Sequence, residues 1–508
     1  MLQLPYEILL EIVDKCNFLS KIRLCGINKY FNENIKIHDL MNISKYFSMK
    51  LTDEILQQTK FDNLKKLEVL ENNISQKGIE KLDLIELKFT RNTKIHNISF
   101  MKKLRCLDID RICIINQKGI EGLNLTELKV KNENIYDVSF MKNLKKLYIG
   151  NSKIDQDNIK GLDLIELKYS GKIENISFMK NLKKLKSYSI NQKKIQGLDL
   201  IELIVPNNKK ITNVSFMKNL TKLDASWDCG IDQNGIKGLD LIELKAYNNR
   251  KIKNVSFMKK LKRLDAGASC GIDQKGIKGL NLIELNAPNN RKITNVSFMS
   301  NLEKLDVSCI GDICGISQSG IKGLNLIELN ACNNQKIKNV TFMKNLRKLD
   351  ARGNCGINQK GIKGLDLVEL IAHDNRKIHN VAFMKNLKIL DATHQCGINQ
   401  CGIEGLDLTE LDARNNIYIV NVAFMKNLKC LNASRRSAID QNGIEGLNLT
   451  DFSARNNEKI NNVTFMKKLI ILDAGKNCGI DQKGIAGLNL IKLFADHNEK
   501  IIMSIPNF

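Results

Sequence analysis

The sequence predicts an α/β solenoid. A curved sheet of short parallel strands is joined by short helical or irregular outer segments, and a small α-helical module precedes it. Three observations carry this expectation. The dipeptide Phe-Met occurs ten times, at Phe100, Phe140, Phe178, Phe216, Phe257, Phe298, Phe342, Phe383, Phe424 and Phe465, mostly at a step of 41 residues. A fixed period of that size marks a repeat array. The unit also divides in two, so the true period is about 20 residues. In the stretch from Asn254 to Thr294 the first half carries Leu261-x-x-Leu264-x-Ala266 and then Cys270-Gly271-Ile272. The second carries Leu282-x-x-Leu285-x-Ala287 and then Asn290-x-x-Ile293. Each half opens as a short strand with one buried face. Residues 1–40, finally, carry none of this pattern.

The elements follow in order. In the opening Leu4-Pro5-Tyr6-Glu7-Ile8-Leu9-Leu10-Glu11-Ile12-Val13, Pro5 stands where a helix start tolerates a missing N–H. Ile8, Leu9, Ile12 and Val13 then share one helical face. A second helical pattern spans Leu19 to Cys25, with Gly26 to end it. Ile27, Tyr30 and Phe31 suggest a third. Residues 41–60 read as a linker or degenerate capping repeat, with a short amphipathic helix from Thr52 to Thr59 capped by Thr52 or Asp53. The solenoid is expected over 61–502 and a tail over 503–508. Units near Leu144 and Leu182 are short, and the unit from Leu302 carries the insertion VSCIGDICGIS. Such edits belong in loops between strand and outer face.

A net charge of +24 allows nucleic acid, an anionic membrane surface or an acidic protein as partner. The lysines are dispersed by the repeat, as at Lys275, Lys278 and Lys292, which equally describes a solvated outer face. Glu7 and Glu11 interrupt the apolar run of a signal peptide, and no stretch of 18 apolar residues offers a membrane span. Cytosol or nucleus is the expected location. Six of the 14 cysteines, Cys229, Cys270, Cys314, Cys355, Cys396 and Cys478, hold one repeat slot. Successive members sit two strands, about 10 Å, apart, beyond the roughly 7 Å a disulfide spans. They are expected to be reduced thiols packed as small apolar residues, which favours a reducing compartment.

Repeats within one chain can be superimposed as columns. Constant columns serve the solenoid, and varying ones are free for function. The Leu, Leu and Ala slots are core, and the Phe-Met column is expected beneath the outer turns. The asparagines Asn249, Asn290, Asn334, Asn375, Asn416 and Asn457 should bond backbone groups of neighbouring turns. Gly271 to Gly276 has the spacing of a phosphate loop, but Ile277 stands where lysine is required, so turn geometry explains it. At the third strand position Lys222, Glu243, Arg263, Glu284, Lys304, Glu328, Lys348 and Glu369 alternate in sign, a cross-strand ladder that fixes register. The fifth position reads Asp224, Lys245, Asp265, Asn286, Asp306.

The seventh and eighth positions vary. Tyr188, Trp227 and Tyr247 fall on nearby strands, and Trp227 is the only tryptophan. Such aromatics are partner hot spots, although Tyr188 is also placed to fill the gap of its short unit. Arg352, His373, His394, Arg414, Arg435 and Arg455 follow, one per repeat. This basic strip, roughly 24 Å long at strand spacing, suits an acidic or phosphorylated peptide or a nucleic-acid backbone, or is ordinary solvated surface. His373 and His394 lie near Cys396 and Cys401, but Cys396 belongs to the structural column, so no zinc site is expected. No histidine pairs with a nucleophile and an orienting acid. Neither a cofactor nor an enzymatic activity of its own is expected.

The strand pattern resembles the leucine-rich repeat family, whose strand reads L-x-x-L-x-L followed by Asn or Cys. CGIDQKGIKGL is similar to its cysteine-containing subtype and NNRKITNVSFMSNL to one with a short irregular outer face. Some 22 such repeats run from Leu64 to about Ile502. The N-terminal block resembles the F-box family through Leu4-Pro5, Glu7-Ile8-Leu9, Ile12, Leu24-Cys25, Asn28 and Tyr30-Phe31, and departs from it in lacking the usual late tryptophan. That resemblance implies that Leu4, Pro5, Ile8, Leu9 and Ile12 dock on a Skp-type adaptor of a cullin ubiquitin ligase. The repeats would then hold a protein target, with Trp227, Tyr247 and the basic strip as its contacts. A plain helical cap on a charge-driven scaffold or nucleic-acid binder is the alternative. The Lys-, Asn- and Ile-heavy composition resembles large DNA viruses that carry F-box repeat proteins.

Overall fold

The computed structural model describes residues 35–41, 51–171, 173, 175–311 and 313–502. Most of the helical module expected over 1–40 lies outside them. The chain forms two compact units, Met1–Leu223 and Asp224–Phe508, and each is a parallel β-solenoid. From Lys66 onward the described residues hold 22 strands, the number expected from the repeats.

The first unit's sheet starts earlier than the sequence pattern suggests. Asp39–Leu40 pairs in parallel with Lys66 and Leu67, and Ile35, Ile37 and Leu40 are buried. The short helix is Asp53–Leu56, followed by a 3-10 turn at Thr59–Phe61. Thr52 occupies the N-cap position in extended conformation without a side-chain capping bond. Asp53 instead accepts from the Ser75 amide at 2.8 Å and its hydroxyl at 2.5 Å. It thereby ties this segment to the first repeats.

Strands stay in register through every length change. In the short unit Leu167 faces Leu185, 18 residues on, whereas Leu264 faces Leu285 at 21. Across the insertion Leu305 faces Leu329, 24 residues on. The edits fall outside the strands because slipping a strand by one residue would turn its leucine out to solvent. In the short unit Tyr169 is buried in the slot that Val130, Ile149 and Val205 hold nearby and alanine mostly holds in the second unit. Tyr188 is exposed.

The Leu, Leu and Ala slots are buried as expected, but the Phe-Met column splits. Met299 and Val296 are fully buried while Phe298 between them is 43% exposed. The Met299 amide bonds the Val296 carbonyl at 3.0 Å. This tight turn aims its first and last side chains inward and its middle one outward, so phenylalanine is surface and methionine alone is core.

Two amide columns hold successive turns together. Asn290 Nδ2 donates to the carbonyls of Ala266 (2.6 Å) and Ile272 (3.2 Å), and its Oδ1 accepts from the amides of Lys292 (2.8 Å) and Ile293 (3.2 Å). Buried backbone groups are thereby satisfied, as they must be. The second column is glutamine, which the sequence pattern did not single out. Gln274 Nε2 donates to Asn295 O at 2.8 Å, and its Oε1 accepts from the amides of Thr294 (2.9 Å) and Asn295 (2.8 Å). Gln233, Gln318, Gln359 and Gln400 repeat it. The Gly271–Gly276 segment is a turn, as expected. A Cβ on Gly276 would stand 2.1 Å from the Lys253 carbonyl oxygen, and Asp273 Oδ1 accepts its amide at 2.9 Å.

The cysteine column holds with one correction. Cys229, Cys270, Cys355, Cys396 and Cys478 are buried free thiols. Burial pushes Cys270 up to about 11 and Cys355 up to about 12. Cys314, expected to be reduced, is bonded to Cys309, Cα to Cα 5.6 Å. The spacing between column members is as expected, but the insertion brings in a second cysteine five residues away in sequence. Among the described residues no helix is long and apolar enough to cross a membrane.

Candidate interaction face of the repeat sheet

Leucine and alanine bury the fourth and sixth strand positions, so alternation turns the third, fifth and seventh to the opposite face of the sheet. In the second unit the third position forms the expected ladder: Glu243, Arg263, Glu284, Lys304, Glu328, Lys348 and Glu369 face one another in succession. Arg263 bonds Glu243 at 3.0 Å, Lys304 bonds Glu328 at 3.0 Å and Lys348 bonds Glu369 at 3.1 Å. Each such exposed pair is worth under about 1 kcal/mol, so the ladder sets register more than stability.

The fifth position alternates aspartate with mostly neutral residues. Asp265, Asn286, Asp306, Asn330 and Asp350 follow one another, and Asp391 faces Asp412 directly. These carboxylates also cap the turn after the strand: Asp265 accepts from the Gly267 amide at 3.1 Å and Asp391 from that of Thr393 at 3.0 Å. Burial pushes the Asp265 carboxyl up to about 6, with Asp224 and Asp306 adding to the rise and the Gly267 amide and Lys245 opposing it.

The eighth position demands left-handed backbone. Asn248, Asn289, Asn333, Asn415 and Asn456 adopt φ between 55° and 59° there, a region where asparagine is enriched and bulky residues are rare. That explains the first asparagine of each Asn-Asn pair, a signal visible in the sequence and missed. Trp227 (φ 63°), Ala268 (φ 57°), Arg435 (φ 63°) and Lys476 (φ 58°) occupy the same slot against this preference, while His394 (φ 58°) is of a residue type that tolerates it.

Trp227 and Tyr247, expected on nearby strands, have ring centroids 5.1 Å apart at 57°. Trp227 is 48% exposed, and its amide donates to Tyr247 O at 2.6 Å. Tyr188 belongs to the first unit, where Lys186 Nζ lies 5.5 Å from its ring centre.

The basic strip is not a row of uncommitted cations. Arg352 bonds Asp350 at 2.9 Å, and Arg414 lies 3.9 Å from Asp412. Arg455 binds Asp473 at 3.2 Å and grips Asp496 with both terminal nitrogens. The fifth-position aspartates thus neutralise much of the seventh. Among the described residues no carboxylate pairs with Arg435. His373 and His394 meet edge to face with centroids 4.4 Å apart and Nδ1 atoms 3.2 Å apart. His373 also contacts Thr393 Oγ1 at 2.5 Å and Asp374 at 3.0 Å. Burial and the neighbouring His373 hold His394 below the usual histidine range. Among the described residues no group of three or more His, Cys, Asp or Glu side chains is placed to hold a metal ion. Cys396 is buried and Cys401 exposed. Leu4, Pro5, Ile8, Leu9 and Ile12 lie outside the described residues.

No protein-family model matches the sequence, and no curated protein matches it. Solved structures similar to it in fold include the Rad7–Elc1 complex of yeast, at 16% identity over 76% of this chain and 94% of that one, with a TM-score of 0.32. The mouse RP105/MD-1 complex matches at 17% identity over 89% and 82%, TM-score 0.39. The leucine-rich repeat protein LIC12759 of Leptospira interrogans matches at 16% identity over 96% and 94%, TM-score 0.27.

Proposed function

We propose that this chain is a protein–protein interaction subunit that recruits a target to an SCF-type ubiquitin ligase. In this reading Leu4, Pro5, Ile8, Leu9 and Ile12 of the N-terminal module engage the Skp-type adaptor. The outward face of the repeat sheet holds the target, an acidic or phosphorylated protein, in the cytosol or nucleus. The observation that carries the target half is the eighth-position column. Where asparagine suits the backbone, the chain spends left-handed positions on Trp227 and Arg435, as it also does on Ala268 and Lys476, and residues held against local preference cluster at functional sites. The adaptor half is supported by LPYEIL standing ahead of repeats. The ligase assembly, not this chain, would carry the chemistry.

Mixing full-length protein with a purified Skp-type adaptor tests the adaptor half. A stable complex is expected for the unmodified chain and none for Pro5→Ala combined with Leu9→Asp. Binding that survives both substitutions removes this reading. A nucleic-acid role predicts affinity that collapses between low and physiological salt. The pairing of Arg352, Arg414 and Arg455 with aspartates argues against it.

A further inference from the structure

One repeat of the second unit departs from its column in a concerted way. After the clamp asparagine, the repeats at Asn249, Asn290, Asn334, Asn375, Asn457 and Asn498 read Arg, Arg, Gln, Arg, Glu or Glu, and then always lysine. At Asn416 the same slots hold Ile417 and Tyr418, and Val420 follows two residues on. Ile417 is 58% exposed, Tyr418 51% and Val420 47%.

The lost lysine has a structural duty elsewhere. Lys251 Nζ donates to Cys229 O at 3.2 Å, Lys292 to Cys270 O at 3.0 Å and Lys377 to Cys355 O at 2.9 Å. Each spans the groove between one turn and the turn behind it. Among the described residues Tyr418 makes no such strut to Cys396. Two corresponding places differ in size, the first of them in the unit that carries the insertion and the Cys309–Cys314 disulfide. Where Lys336 is kept, a cleft bounded by Arg291, Cys314, Gly315 and Lys336 measures about 360 Å³. Where Tyr418 replaces it, the corresponding cleft, bounded by Arg376, Cys396, Gly397 and Tyr418, measures about 910 Å³. Both lie in the size range of ligand-binding sites, the second near its upper end.

The enlarged cleft also has a defined charge. Arg376 and Arg436 line it together with Ile417 and His394, and among the described residues neither arginine has an ion-pair partner. The nearby Asp374 is engaged by His373 Nε2 at 3.0 Å and the Gln395 amide at 3.2 Å. Ile417 and Tyr418 beside two guanidinium groups suit an occupant that brings an apolar side chain and carboxylates together. Arginine pairs with carboxylates bidentately, and aromatic anchors in clefts dominate binding energy.

We propose that the cleft at Ile417–Tyr418 is a docking site for an acidic peptide segment. The peptide would seat an aliphatic or aromatic side chain against Tyr418 and Ile417 and its carboxylates on Arg376 and Arg436. The site does not depend on the adaptor reading and would persist if that reading failed.

The test uses full-length protein and a fluorescein-labelled peptide pool of pattern Glu-Asp-x-Φ-x-x-Φ-Glu-Asp, with Φ drawn from Phe, Leu and Ile. The diagnostic variant restores the column: Ile417→Arg, Tyr418→Lys and Val420→Thr, residues each found in the same slots of other repeats. It is expected to melt no lower than the unmodified protein and to bind the pool at least tenfold more weakly. Arg376→Glu with Arg436→Glu is expected to lose the acidic pool and to gain a pool in which Lys replaces Glu and Asp. Equal binding by the column-restored variant, or no saturable binding by the unmodified protein, overturns the proposal. So does preferential binding of a single-stranded oligonucleotide or of phosphatidylserine vesicles that the same variant abolishes.

Discussion

Trp227 rests on Tyr247 with ring centroids 5.1 Å apart while its own backbone sits at φ 63°. The two facts oppose each other energetically. A left-handed non-glycine residue costs roughly 1–2 kcal/mol, and an aromatic pair returns about 0.5–1.5 kcal/mol. The pair therefore contributes nearly nothing to folding. Trp227→Asn, which installs the residue used at Asn248 and Asn289, is expected to change unfolding free energy by less than about 1 kcal/mol. Chemical denaturation checks this. A loss above about 2 kcal/mol would make the tryptophan structural.

The asparagine clamp is the opposite case. Asn290 makes four bonds to buried or half-buried backbone groups. Asn290→Ala strands those groups, at a cost of about 3 kcal/mol. Because each repeat contacts mainly its neighbours, the damage is local. Hydrogen exchange is expected to quicken between residues 266 and 293 and to remain slow near Asn457.

Asp265 makes stability depend on pH in a direction opposite to that of a salt-bridged acid. Burial lifts its folded-state value to about 6, above the roughly 3.9 of an unfolded chain. The folded protein therefore holds the proton more tightly. This contribution is fully present below about pH 4 and is lost as pH rises through about 6. Asn286 and Asn330 occupy the same slot, so Asp265→Asn fits without rearrangement. The variant is expected to gain on the parent between pH 4 and 6, by at most about 3 kcal/mol at pH 7. A difference that is flat with pH contradicts this.

Thiol chemistry separates the cysteines. Cys270, Cys355 and Cys396 are buried with thiols pushed up to about 11, 12 and 12, so they resist alkylation at pH 7.5, which requires thiolate and access. Cys401 is exposed. Peptide mapping after iodoacetamide is expected to find Cys401 modified in native protein and the free thiols Cys270, Cys355 and Cys396 modified only after denaturation.

Much of the fold was legible because repeats align with one another. Leucine and alanine slots, strand number, ladder register and the Asn290 clamp all repeat at fixed spacing, and each does in space what its chemistry demands. What escaped depended on backbone conformation. Nothing in the periodicity distinguishes the inward Met299 from the outward Phe298, since only the turn bonded from Met299 to Val296 separates them. The glutamine clamp at Gln274 was visible as a constant column but reads as an ordinary polar turn residue. The basic strip was found residue by residue, yet its neutralisation by Asp350, Asp412 and Asp473 required seventh and fifth positions to be seen side by side. The Asn416 repeat was missed because its meaning lies in the absence of a lysine.

Comparative affinity purification with quantitative mass spectrometry probes the division of labour most directly, using the full chain, Pro5→Ala with Leu9→Asp, and Trp227→Asn with Arg435→Asn. The expected result is that the first variant loses a Skp-type adaptor and keeps other partners. The second keeps the adaptor and loses a distinct set. An adaptor retained by the first variant, or an unchanged partner set in the second, would contradict the proposal that separate ends of this chain grip a ligase and its target.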